Sequence, residues 1–358
     1  LFFAIPNLAF QLTSYPRKVV VLPDAGPENP FQYELVRYFK EEGLDVVVGK
    51  KYTLGSTLRA MLTHRPAVIY YDWVHSFILG KSRLWTYVKS SVFVAEIVAA
   101  RYLCRVKLVH TLHNLQNHAG IWVEWEQKMY GFFLRRCHQI RVYSEETKQA
   151  AVQRFSLQPD RLKVIQDLPY HFYYPNTLSK TECRKRLHVS ENDFVFLFFG
   201  EIKPYKGVDH LIRAFTQIAR PNDRLLIAGK SYDASFFAPI EKAIQANSSI
   251  LLHHRFIQDE EVQVFFNAAD VVVLPFIRID HSGSVDLALS FRKPVVTLKT
   301  EALLRLLAHQ STLLFETPSQ LPDCLQMAQE LPLEAIGDKN FDIADSTNYR
   351  DLTLLVTL

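Results

Sequence analysis

The 358 residues suffice for two domains of ordinary size, and 48% hydrophobic against 22% charged residues is the balance of a folded globular chain, not a disordered one. Four cysteines, Cys104, Cys137, Cys183 and Cys324, stand far apart with no C-x-x-C or Cys/His cluster, which argues against a disulfide framework or a structural zinc site and fits a reducing cytoplasm. The net charge of +4 is uneven: residues 1–175 hold 22 Lys and Arg against 14 Asp and Glu, and residues 176–358 hold 19 against 23. The basic half is either a set of solvated helix faces or a surface that meets anionic lipid or a polyanionic substrate.

The opening LFFAIPNLAFQLTSYPRK is apolar but interrupted by two prolines and an asparagine, so it reads as a first strand with its lead-in or as the edge of the chain. Strands are expected at KVVVLP, DVVVG, AVIYYD, KLVHTLHN, QIRVYS and LKVIQD. Amphipathic helices lie between them, as in NPFQYELVRYFKEEG, where Phe31, Leu35, Val36 and Phe39 share a face and Gly43 supplies a stop. The longest apolar stretch, Val92 to Cys104, is broken by Glu96 and Arg101, so no transmembrane helix is expected.

The stretch DLPYHFYYPNTLSKTECRKRLHVSEND is irregular and rich in Pro and Tyr, and it reads as a hinge. Strands resume at DFVFLFFG, RLLIAGK, ILLHH, DVVVLPF and KPVVTL, again separated by helical patterns. The pattern predicts an α/β protein of two doubly wound Rossmann-like domains, 1–175 and 176–335, facing a central cleft, with 336–358 returning to the first domain. Ligands of such folds sit at the carboxyl ends of the strands, in the crevice between the domains.

Two turns of the second half face that crevice. In FFGEIKPYKGVDHLIRAF, Gly200 ends a strand and Lys206-Gly207 precede a helix built on Val208, Leu211, Ile212 and Phe215. In DHSGSVDLALSFRKPVV, Ser282-Gly283-Ser284 stand where a helix begins, either as an ordinary N-cap or as a phosphate cradle of free backbone N–H groups at a positive dipole end. Paired, Lys206 and the Ser-Gly-Ser turn read as a diphosphate clamp.

GEIKPYKGVDHLIRAF, LLIAGK, FIQDEEVQVFFNAADVVVLPF, the Gly/Ser turn and ALSFRKPVV, in that order, resemble the donor domain of GT-B glycosyltransferases, above all retaining family 4 and related bacterial exopolysaccharide transferases. The resemblance covers nearly all of 195–300 and is thinner in the first domain. It implies a nucleotide-diphosphate sugar against the second domain and a glycan or lipid-linked acceptor against the first, with retention, with no metal or other cofactor, and with no nucleic-acid partner. By the same resemblance Lys206 contacts the diphosphate, the main chain at Arg255 and Phe256 faces the base, and Ser282, Gly283 and Ser284 take the distal phosphate. The chain departs from the family at Glu201, where an arginine is common, with Lys203 as a substitute. It departs again at Ile279 and Leu287, where two glutamates are usual; Asp280 and Asp286 lie one residue away.

In the first half, KLVHTLHNLQNHAG brings His110, His113 and His118 together. His110 is expected in the core, while His113 and Asn114 occupy the place where relatives put a histidine beside the donor sugar and leaving phosphate. An imidazole there can hydrogen-bond a sugar hydroxyl or offset charge on the departing diphosphate. Asp72 ends another strand and either orients an acceptor hydroxyl, acts as a base or caps a helix. Glu124 and Glu126 read as a solvated helix face, with Trp122 and Trp125 as a sugar-stacking or membrane-edge surface, and Asn114, His118 and Trp122 as acceptor-side residues. Residues 80–107 alternate apolar side chains with Lys81, Arg83, Lys89, Arg101, Arg105 and Lys107, which suits either core packing or docking on the inner face of the plasma membrane. Alternatives are a GT-B epimerase or hydrolase, which needs no acceptor, and a non-catalytic GT-B binding protein.

Overall fold

The computed structural model describes residues 18–26, 29–51, 53–115, 122–279, 282–346 and 349–357. Residues 19–22, 46–48, 68–71, 107–111, 139–142 and 162–164 form β1 to β6, a parallel sheet in the order β2-β1-β3-β4-β5-β6. A second parallel sheet contains β7 (Phe194–Phe199), β8 (Asp223–Ala228), β9 (Ile250–His253), β10 (Val271–Leu274), β11 (Val295–Leu298) and β12 (Leu314–Phe315), ordered β12-β11-β10-β7-β8-β9. All eleven expected strands form. The two residues of β12 are too few to leave a periodic trace in sequence.

Every residue of β1, β3 and β10 is buried, because helices cover both faces of a parallel sheet, and this is why these strands read as unbroken apolar runs. In the first sheet Val20, Leu22, Ile69 and Tyr71 pack with Phe93, Ile97 and Phe133 of the Arg83–Val98 and Val123–Leu134 helices. Val19, Val21, Val68 and Tyr70 point the other way, onto Phe31, Leu35 and Phe39 of the Pro30–Glu41 helix. That face is completed by Leu352, Leu355 and Val356 of the Arg350–Thr357 helix, whereas the preceding Leu333–Ser346 helix packs on the second domain, where Asn340 Nδ2 donates to the Lys293 carbonyl at 2.8 Å.

Two expectations are corrected. The hinge stretch contains a helix, Lys180–Arg186, started by a capping box in which Ser179 and Glu182 satisfy each other's backbone amides; the S-x-x-E signal is present in SKTE. Glu126 is fully buried, paired with His75, because it lies on the helix face that carries Tyr130, Phe133 and Leu134 into the core.

Each sheet reverses its strand order once, between β1 and β3 and between β7 and β10. Loops leaving neighbouring strands in opposite directions open a crevice there, the place where open α/β sheets generally receive a ligand.

Candidate active site

The loops after β7 and β10 are fastened to one another. The Ile277 amide donates to the Tyr205 carbonyl at 2.9 Å, and the Tyr205 and Phe276 rings stack with centroids 6.5 Å apart. Gly207 has φ +66°, and a Cβ there would stand 2.1 Å from the Pro275 carbonyl oxygen, so no larger residue allows this approach. The result is a convergence at Gly200. A Cβ on that residue, whose φ is +121°, would lie 3.0 Å from Lys206 Nζ and 3.5 Å from Ser284 Oγ. Ammonium and hydroxyl, from separate loops, thus share one small space.

Burial draws the Lys206 ammonium down to about 8, opposed by attraction to Glu201, although part of the side chain reaches the cleft. Glu201 itself is held by Lys203 at 2.7 Å, so Lys203 faces the cleft already paired. Beside them begins the Gly283–Ser290 helix. Ser282 is its N-cap: its Oγ accepts from the Ser284 amide at 3.2 Å and its carbonyl from the Val285 amide at 2.9 Å. The cap therefore uses the Ser284 amide, leaving the Gly283 amide and the Ser284 hydroxyl as the donors for an anion.

These groups line one cleft of about 830 Å³ between the domains. The second domain contributes Gly200, Lys203, Lys206, Arg255, Phe256, Ile279, Ser282, Gly283, Ser284 and Leu287; the first contributes Phe31, Trp73, His113 and Asn114. The Arg255 guanidinium is engaged by both oxygens of Glu261 at 2.6 and 2.7 Å, so what it leaves for a base is the neighbouring main chain and the exposed Phe256 ring.

His113 is gripped from three sides. Its Nδ1 lies 3.1 Å from the Tyr143 hydroxyl, its ring stacks on Trp73 at 4.9 Å and 6°, and Phe31 meets it edge-on at 5.4 Å. Its Nε2 lies 3.5 Å from Asp72 Oδ1, with both atoms closed off from solvent. Asp72 is only 1% exposed, its Oδ2 accepts from Gln32 Nε2 at 3.2 Å, and no helix is capped by it. It acts on the cleft only through the imidazole, which corrects its expected place as a group touching the acceptor. Neither nitrogen of His113 is presented to a sugar hydroxyl in this arrangement.

Two further expectations fail. Asp286 is buried and faces a void of about 10 Å³ behind its helix, with Gln166, Asp167 and Tyr349. At about 100° per residue it is turned a full step around the helix from Leu287, which does line the cleft. Trp122 lies outside the cleft, 43% exposed beneath the Arg83 guanidinium. His118 and Asp280 lie outside the described residues. His110 is in the core as expected, between the Tyr71 carbonyl at 2.9 Å and the Tyr130 hydroxyl at 2.7 Å, and burial holds it well below the usual imidazole range.

Sequence reading missed Trp73, Tyr143, Tyr170 and the Arg141–Asp167 pair. Arg141 is fully buried, bonds Asp167 at 2.5 Å, and lies 5.0 Å from the Tyr143 ring centroid, bracing the cleft floor. Only the crowding of tyrosines in DLPYHFYYP was a visible signal.

In comparison with known proteins, residues 179–323, on the phosphate side of the cleft, match the family model described as glycosyl transferases group 1. Over 94% of its length the chain shares the GT-B fold of sucrose-phosphate synthase from Thermosynechococcus elongatus (TM-score 0.71, 15% identity, 96% of that chain covered). The fold is shared with Anabaena HepE, solved in complex with UDP-glucose (TM-score 0.69, 16% identity, 95% and 98% covered). In sequence it is 24% identical over 247 residues to a GDP-mannose:glycolipid 4-beta-D-mannosyltransferase of Xanthomonas campestris pv. campestris, 69% of this chain and 65% of the relative. An uncharacterized glycosyltransferase of Methanocaldococcus jannaschii is 22% identical over 251 residues, 67% of this chain and 64% of that protein. The match thus spans just under two thirds of either relative's length. The stretch matched by the family model includes both loops that meet at Gly200.

Proposed function

We propose that the chain moves a hexose from a nucleotide-diphosphate sugar to a glycan or lipid-linked acceptor, with retention and without a metal, in polysaccharide or glycoconjugate biosynthesis. The observation that supports this most is the convergence of Lys206 Nζ and Ser284 Oγ on Gly200, beside the Gly283 amide at a helix start. In the transfer, the bond from anomeric carbon to phosphate oxygen breaks and its electrons pass to the diphosphate, while the acceptor oxygen bonds that carbon and gives up its proton. Fixed positive charge at the diphosphate favours the separated-charge transition state over the bound ground state.

Retention is supported by the acceptor side, where no free base stands among the described residues. His113 has its nitrogens turned to Tyr143 and Asp72, and Asp167 is paired with Arg141. The departing phosphate oxygen then takes the acceptor proton on the face it leaves. Trp73 and Phe31, which line the same side, supply apolar surface for the acceptor sugar.

An anionic membrane surface as a further partner rests on the first domain. Leu84 and Leu103 are 74% and 78% exposed, near Trp85, Tyr102, Lys81, Arg83, Arg101 and Arg105, and amphipathic surfaces of this kind bind anionic lipid. Among the described residues no helix is long and apolar enough to cross a membrane.

The test is a panel of UDP- and GDP-sugars, read first by thermal shift and then by transfer with and without glycolipid acceptor. A donor that raises the melting temperature and is consumed only with acceptor supports the proposal, and NMR of the linkage reads its anomer. A donor converted without acceptor, or no nucleotide sugar bound at all, overturns it.

A further inference from the structure

The segment joining β6 to the Lys180–Arg186 helix passes beneath the phosphate side of the cleft, and there it places Tyr170. The ring is 96% buried, at 4% exposed, yet its hydroxyl is on the cleft wall. A Cβ on Gly283 would meet that hydroxyl at 3.0 Å, so the phenol stands at the first residue of the Gly283–Ser290 helix, where the Gly283 amide is unused by the cap. Among the described residues the hydroxyl has no hydrogen-bond partner, yet it is absent from the polar atoms closed off from solvent, so it opens on the cleft as an uncommitted donor.

Its position is fixed from behind. The Tyr170 amide donates to Ser290 Oγ at 2.8 Å, and Ser290 Oγ donates to the Asp286 carbonyl at 2.7 Å, so the residue is tied to the far end of the helix whose start its side chain faces. The Tyr170 carbonyl accepts from the Tyr173 and Tyr174 amides at 3.0 and 3.2 Å, closing a turn around it. Burial, with Asp167 and Asp286 nearby, pushes the phenol well above its usual range, so it remains a donor throughout the working pH.

We propose that Tyr170 is a third ligand of the distal phosphate of the nucleotide sugar, its hydroxyl donating alongside the Gly283 amide and Ser284 hydroxyl, opposite Lys206. This rests on the sugar-transfer reading and deepens it: the phosphate site is built by three segments, one of them the link between the domains. Because the donor is held in place before ligand arrives, no ordering is required when charge develops on the leaving group.

The experiment uses the full chain and calorimetric titration with UDP, GDP, UMP and GMP, alongside transfer rates. Tyr170→Phe, which keeps the ring and removes only the donor, is expected to bind the diphosphate about tenfold to a hundredfold more weakly, with monophosphate affinity unchanged and the melting temperature held. Gly283→Ala, whose methyl displaces the hydroxyl, is expected to weaken diphosphate binding in the wild-type background and to add little to Tyr170→Phe. Unchanged diphosphate affinity in Tyr170→Phe, or an equal loss for mono- and diphosphate, overturns the assignment. A Lys206→Ala variant separates the two failures. If Lys206→Ala weakens binding and Tyr170→Phe does not, Tyr170 alone is wrongly assigned. If the wild type binds no nucleoside diphosphate, the sugar-transfer reading falls and the Tyr170 assignment with it.

Discussion

The two domains share an architecture but build their edges of the cleft from different material. On the second domain, main chain does the work: Gly207 lets one loop touch another, Ile277 bonds Tyr205, and Gly200 leaves a space that a lysine and a serine fill. On the first, side chains do it: Trp73, Phe31 and Tyr143 enclose an imidazole that leans on a buried aspartate. A diphosphate is the same in every nucleotide sugar and suits a fixed backbone cradle, whereas acceptors vary, and side chains can be exchanged without disturbing the fold.

The sharpest way to test this division is to remove its parts in turn. Lys206→Ala is expected to keep its melting temperature and lose about 10²–10³-fold in transfer rate, measured as initial rates at saturating donor. Asp72→Asn is expected to slow transfer about tenfold while nucleoside diphosphate affinity stays at the wild-type value, since it alters only what orients His113. Weakened diphosphate binding in that variant would erase the boundary between the two edges.

A third test uses pH. Lys206 is depressed to about 8 from 10.5, so diphosphate affinity should fall as pH rises through 8, by at most about tenfold per unit, and Lys206→Ala should flatten the curve. The stability linkage has the opposite sense. Between about 8 and 10.5 the unfolded chain binds more protons at this residue than the folded one, so its contribution to stability rises with pH across that window. The smallest effect is expected at the base end. Glu261→Gln frees an exposed Arg255 and should change stability by less than about 1 kcal/mol, with donor affinity moving only a few-fold.

Much of the second domain was legible in sequence because its devices are local. Apolar runs mark doubly covered strands, and glycine and serine at fixed offsets from a strand end mark a cradle. The first domain's edge was less legible because its meaning lies in contacts far apart in the chain: His113 with Asp72 and Tyr143, and Arg141 with Asp167. Glu126 shows the intermediate case: it read as part of a solvated face although it shares the spacing of the buried Tyr130 and Phe133, and only the fold reveals His75 as its partner. Asp286 erred in the other direction, because sequence proximity to an expected carboxylate says nothing about the side of a helix.

The Arg350–Thr357 helix gives the fold a temporal order. Leu352, Leu355 and Val356 close one face of a sheet whose strands were all synthesised before residue 165, with the whole second domain made in between. On the ribosome, the lobe translated first must wait with part of an apolar face uncovered until this last helix is made, and a stop codon before residue 350 would leave that part bare for good.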